Sequence, residues 1–126
     1  MMMNMEDEKL ALILVKNLLE NEELDLIDTG NIRDWFWFKF MEIYESGNKE
    51  LAKKWVDIFE KLELVFTNKD LTFKANGFHT KNYSGIFLTL AQILSLKYGI
   101  KRLAGEKINK EEFKKSFNET FKKLKF

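Results

Sequence analysis

The chain has 126 residues, a net charge of +1, no cysteine and no proline. Its length supports one domain that buries about two-thirds of its unfolded surface, and 45% hydrophobic content with 14% aromatics argues against disorder. Without cysteine there is no disulfide, no thiolate nucleophile and no Cys-ligated zinc, a composition that fits a reducing, cytoplasmic setting.

In chain order, residues 5 to 20 set Leu10, Ile13, Leu14 and Leu18 at helical spacing behind Asn4 as N-cap, with Glu6, Asp7 and Glu8 complementing the helix dipole. Those acids stand where an export signal would carry bases, so no signal peptide is expected. Leu24-Asp25-Leu26-Ile27-Asp28 alternates roughly and reads as a short strand or a loop. A second helix spans residues 31 to 45, and Ser46-Gly47-Asn48 closes it in a tight turn. The third, from Asn48 to about Leu62, gathers Leu51, Ala52, Trp55, Val56, Ile58, Phe59 and Leu62 on one half of its circumference and every charged residue on the other.

The period then shortens. Leu64-Val65-Phe66-Thr67, Asn68-Lys69-Asp70 and Leu71-Thr72-Phe73-Lys74 read as strand, turn and strand, a hairpin over residues 64–74. Helix resumes from about Lys81 to Tyr98, apolar nearly all round; its uncharged stretch, Asn82 to Leu96, is 15 residues long and falls short of a membrane span. A last helix opens on Asn109-Lys110-Glu111-Glu112, a capping-box-like start, and aligns Phe113, Phe117, Phe121 and Leu124 beside Lys114, Lys115, Lys122, Lys123 and Lys125. Docking through the phenylalanines explains that stripe better than membrane binding does. The fold expected is mainly α, one domain over residues 1–126, a compact set of about five helices with one small β-hairpin.

Charge is unevenly spread: residues 1–34 carry −6, residues 35–100 carry +2 and residues 101–126 carry +5. The densest apolar stretch is Asp34-Trp35-Phe36-Trp37-Phe38-Lys39-Phe40-Met41. At 100° per residue, Phe36, Trp37, Phe40, Met41, Ile43 and Tyr44 share a broad inward face, while Trp35 and Phe38 fall among Asp34, Lys39, Glu42 and Glu45 and are expected to look outward. Such rings need shielding by a second layer of this protein, a twin subunit or a foreign partner, and exposed apolar patches usually mark interaction surfaces.

The order helix, strand, helix, turn, helix, strand, turn, strand over residues 5–75 resembles the winged helix-turn-helix domain. The likeness is best from Asn48 through Lys49, Lys53, Lys54, Trp55, Ile58 and Leu62 to Leu64-Val65, which looks like a recognition helix running into the first wing strand. The resemblance implies nucleic-acid contacts by Lys49, Lys53 and Lys54, with Asn68 and Lys69 at the wing tip. It also implies a helical C-terminal part, residues 81–124, in which Gly85, Thr89, Ala91 and Ser95 offer close contact in a homodimer. The helix that resembles a recognition helix carries no arginine, so base-specific readout is not expected.

No active-site pattern accompanies these surfaces. His79 is the only histidine and has no ligand-spaced Cys or carboxylate beside it, so no metal and no cofactor are expected. Glu42 and Glu45 read as a solvated face rather than an acid/base pair. Ser84 and Ser95 lack a nearby base, and Gly99 and Gly105 flank Lys101-Arg102 without the order of a P-loop. Two non-enzymatic readings stand side by side: a nucleic-acid-binding or regulatory protein of winged-helix-like type, and a helical protein–protein interaction module such as an adaptor, inhibitor or small subunit, anchored by Trp35 and Phe38.

Overall fold

The computed structural model describes residues 5–20, 23–67, 72–75, 78–80 and 86–122. Among these the chain is mainly α, with five helices and one small sheet. The order is α1 (Met5–Glu20), β1 (Glu23–Asp25), α2 (Leu26–Ser46), α3 (Lys49–Phe66), β2 (Thr72–Ala75), β3 (Phe78–Thr80), α4 (Ile86–Leu103) and α5 (Lys110–Lys122). No helix among the described residues is long and apolar enough to cross a membrane.

Helix α3 is the centre because its apolar residues recur at three- and four-residue steps. Ala52, Trp55, Ile58, Phe59, Leu62, Val65 and Phe66 are all buried. Helix α1 packs on one side with Ala11, Val15 and Leu18 buried, and α4 on another with Leu90, Ile93, Leu94 and Ile100 buried. Each buried valine, leucine, isoleucine or phenylalanine among these contributes about 1.5–3 kcal/mol. Helix α2 adds rings: Phe36 meets Phe59 edge-on at 5.6 Å, and Trp35 lies 6.4 Å from Trp55. The expected turn between α2 and α3 is present. Ser46 Oγ donates to the Ile43 carbonyl, Gly47 adopts φ 62, and Asn48 caps α3 by accepting from the Leu51 N–H.

Several boundaries differ from expectation. The strand expected at 64–67 is the last turn of α3: Val65 and Phe66 continue the buried stripe of Ile58, Phe59 and Leu62, and that packing outweighs the local β preference. Thr67 closes the helix, its N–H and hydroxyl both donating to the Glu63 carbonyl. The hairpin therefore lies further on, between β2 and β3, with Ala75 opposite Phe78 and Lys74 opposite His79. Strand β1 adds to it in parallel, Leu24 opposite Phe73, so the acidic 24–28 segment is a strand only to Asp25. Helix α2 starts at Leu26 and runs through Gly30, helped by Thr29, whose buried hydroxyl donates to the Asp25 carbonyl. The fourth helix is described from Ile86 and reaches Leu103, beyond the expected Tyr98; residues 81–85, expected to open it, lie outside the described residues.

Helix α5 is tied to the core by a polar cluster drawn from three helices. Lys97 Nζ donates to Glu63 Oε2 at 2.9 Å, and Thr120 donates to Glu63 Oε1 at 3.1 Å. The Lys97 side chain is 8% exposed and that of Glu63 15%. Beside them Tyr98 donates to Ser116 and meets Phe113 edge-on at 5.0 Å. The first half of the α5 stripe docks as its spacing suggested: Phe113 and Phe117 pack inward at 5.8 Å from each other, while Lys114, Lys115 and Lys122 face solvent; the Phe121 side chain, Leu124 and Lys125 lie outside the described residues. Asn109 caps it by accepting from the Glu111 N–H.

Candidate interaction surface

Helix α2 is apolar on two opposite sides. Its inner side carries Ile32, Trp35, Phe36, Phe40 and Ile43, with Phe36 and Ile43 fully buried and the other three packed against the core. Its outer side, Asp34, Trp37, Phe38, Met41, Tyr44 and Glu45, is exposed throughout. Trp37 is 53% exposed, Phe38 63% and Tyr44 59%. Trp37 and Phe38 stack at 6.2 Å, and Phe40 and Tyr44 at 6.5 Å. A soluble helix normally turns a largely polar side to solvent, but here the outer side carries four large apolar residues with only Asp34 and Glu45 at its edge.

Phe38 looks outward as expected, but the expectation for Trp35 is corrected: it is half-buried, edge-on to Phe36 at 5.0 Å and close to Trp55. Trp37, Met41 and Tyr44, expected inside, are outside. The physical reason is Lys39. It sits on the inner side because its Nζ donates to Asp7 of α1 at 2.9 Å, lies 3.5 Å from Glu42, and rests 5.2 Å from the Trp35 ring. Its side chain is 12% exposed. Burial pulls the Lys39 pKa down, but the Asp7 hydrogen bond and the carboxylates of Glu42 and Asp7 outweigh it, leaving the pKa above the ordinary 10.5. A charged residue with a partner on another helix turned the wheel; Glu42 follows it inward, away from Glu45.

The lysines of α3 are spread differently. Lys49, Lys53 and Lys54 are all exposed near its N-terminus. Lys53 pairs with Glu50 at 3.2 Å, and the Lys49 stem lies across the turn at Gly105, close enough that a Cβ there would collide with its Cε. Further along, Lys61 pairs with Asp57, and Glu60 holds Lys101 of α4. Burial lowers the Lys101 pKa, but the Glu60 hydrogen bond and charge, with smaller help from Glu106 and Tyr98, raise it overall. Asn68 and Lys69 lie outside the described residues, as do Asn4, Ser84, Gly85 and Lys123. His79 stands in β3, and no group of three His, Cys, Asp or Glu among the described residues is placed to hold a metal ion.

The segment expected to pair with a second copy spends its apolar side within the subunit. Thr89 is buried, whereas Ala91 and Ser95 remain on the open side of α4. Comparison with protein-family models, with curated protein sequences and with solved structures finds no match to this chain.

Proposed function

We propose that this chain is a helical protein-interaction module whose contact surface is the outer side of α2. The observation that carries the reading is the contiguous group Trp37, Phe38, Met41 and Tyr44, all exposed on a helix whose other side already fills the core. At about 150–250 Å² per aromatic side chain, half-exposed rings of this number offer roughly 300–450 Å², the size of patch that on a monomer is often functional. Tryptophan and tyrosine are also the residues that most often dominate binding energy at interfaces. The nucleic-acid reading draws on Lys49, Lys53 and Lys54, of which Lys53 already holds a carboxylate and Lys49 leans over the Gly105 turn. Less free positive charge stands there than the sequence promises.

The test places a photo-crosslinking phenylalanine analogue at Phe38 and, separately, at Lys53, in cells that express the full chain. Discrete protein adducts from position 38 that vanish with Trp37→Ser support the module; an adduct of twice the subunit mass identifies a second copy as the partner. Nucleic-acid adducts from position 53 with none from position 38 overturn it in favour of the rival.

A further inference from the structure

The open side of α4 forms the floor of a trough that continues the α2 surface. Ala91, Ser95, Gly99 and Arg102 recur at three- and four-residue steps and line two clefts, of about 510 and 420 Å³, which meet at Ser95. Ala91 and Ser95 are the small residues that keep the floor low, while the side-chain position of Gly99 is filled by Phe40. One wall is α2, through Trp37 with Arg33 and Asp34; the other is the start of α5 and the loop before it, through Ile108, Lys110 and Phe113. From Ala91 to Arg102 the floor extends about 16 Å, or three helical turns.

The two ends differ in charge. At the first, Arg33 and Asp34 neutralise each other at 3.3 Å beside the apolar Trp37 and Leu96. At the second, Arg102 and Lys110 flank the cleft, neither has an ion pair among the described residues, and no acid lines it. Glu60 and Glu106 act on Lys101 instead. Tyr98 is taken by Ser116, so its ring, with Phe113, supplies apolar wall.

We infer that this trough receives an amphipathic helical segment of a partner protein, with acidic residues in its first turn against Arg102 and Lys110 and apolar residues toward Trp37 and Leu96. The inference rests on the interaction-module reading and names the partner's chemistry. The charge pattern also sets direction: carboxylates favour a helix N-terminus, so the segment lies antiparallel to α4. Grooves that take an amphipathic helix commonly read it through a few anchors at three- and four-residue spacing.

The experiment selects binders to the full chain from a displayed library of helical peptides of about 14 residues, with Glu or Lys allowed in the first and last turns and Leu, Phe or Ala at the inward positions. Enrichment of first-turn acids with apolar anchors, by about 10-fold or more over last-turn acids, is expected. Arg102→Glu with Lys110→Glu should switch the selected first turn to lysine, a rescue that mere misfolding cannot produce. No enrichment, enrichment indifferent to the charge reversal, or displacement of the selected peptide by duplex DNA overturns the inference. Adducts at position 38 that persist unchanged in the charge-reversed variant would sink this inference while leaving the module reading intact; absence of both adducts and enrichment removes both.

Discussion

Removing the Glu63 carboxylate should destabilise this protein far more than removing an ordinary surface acid. Glu63→Ala leaves the Lys97 ammonium, whose side chain is 8% exposed, without its 2.9 Å partner and strands the Thr120 hydroxyl. Breaking one side of a buried ion pair costs about 3–5 kcal/mol. Lys97 retains the Tyr98 ring at 4.6 Å, and its stem can carry the charge toward solvent, so the lower end, about 3 kcal/mol, applies. Equilibrium urea unfolding followed by circular dichroism reads this directly, as a midpoint lowered by about 2 M at a slope of about 1.5 kcal/mol/M. Glu63→Leu with Lys97→Met removes both charges and keeps the space filled; that double variant should return to within about 1 kcal/mol of the parent. The resulting cycle should show a coupling of at least about 2 kcal/mol. A single substitution costing under about 1 kcal/mol, or a double variant as weak as the worse single, refutes the placement of this pair and with it the seat of α5.

Four further outcomes follow from the same geometry. Gly99→Ala sets a Cβ 2.8 Å from Phe40 Cε2, and overpacking of that kind should lower stability by about 1–3 kcal/mol; Phe40→Leu in the same chain should recover part of it in a urea titration. Gly105→Ala meets only the mobile end of Lys49 but sits at φ +96, so thermal unfolding should show a loss of about 1 kcal/mol from backbone strain alone. Asn48→Ala removes the acceptor of the Leu51 N–H and should cost about 1 kcal/mol, with Asn48→Ser or Asn48→Asp nearly neutral. Lys39 has a folded-state pKa above 10.5, so its ion pairs contribute fully below the unfolded value and that contribution fades as pH rises through the folded one. Urea midpoints measured from neutral pH to above 10.5 should therefore fall more steeply for the parent than for Lys39→Met; parallel curves would refute the Asp7 contact.

Much of the fold was legible where one element decides its own structure. The α3 stripe, the Ser46-Gly47-Asn48 turn and the Asn109 cap all depend on residues within a few positions of one another, and local spacing is enough to read them. Misreadings fall where a distant group decides. Leu64-Val65-Phe66 has the composition of a strand, yet Val65 and Phe66 are buried in the core as the continuation of α3. A local signal for the true hairpin existed: Ala75 pairs with Phe78, and the residues between them are Asn76 and Gly77, the dipeptide most favoured between such strands. The Glu63–Lys97–Thr120 cluster had no such signal, because its members are separated by 34 and 57 positions.

Helix α2 separates two questions that its sequence seemed to answer together. How much apolar surface the segment carries is a matter of composition, and the structure bears it out: one side fills the core and the other remains open. Which side is which depends on charges, and charge is a reliable marker of solvent only for a side chain with no partner elsewhere. Lys39 and Glu42 resemble solvent markers in the sequence, but Asp7, 32 positions earlier, draws the lysine inward. Trp35 goes in with them and Trp37 comes out. The open apolar side is thus the one with few tertiary ion pairs, where Arg33 is satisfied by its own neighbour Asp34. Substituting Trp37 and Phe38 with serine removes rings that are only half-buried and should cost about 1–2 kcal/mol each, whereas Trp35→Ser loses the contacts to Phe36 and Trp55 and should cost about 3 kcal/mol or more; the reverse order in a urea titration would return the exposed rings to the side the sequence first suggested.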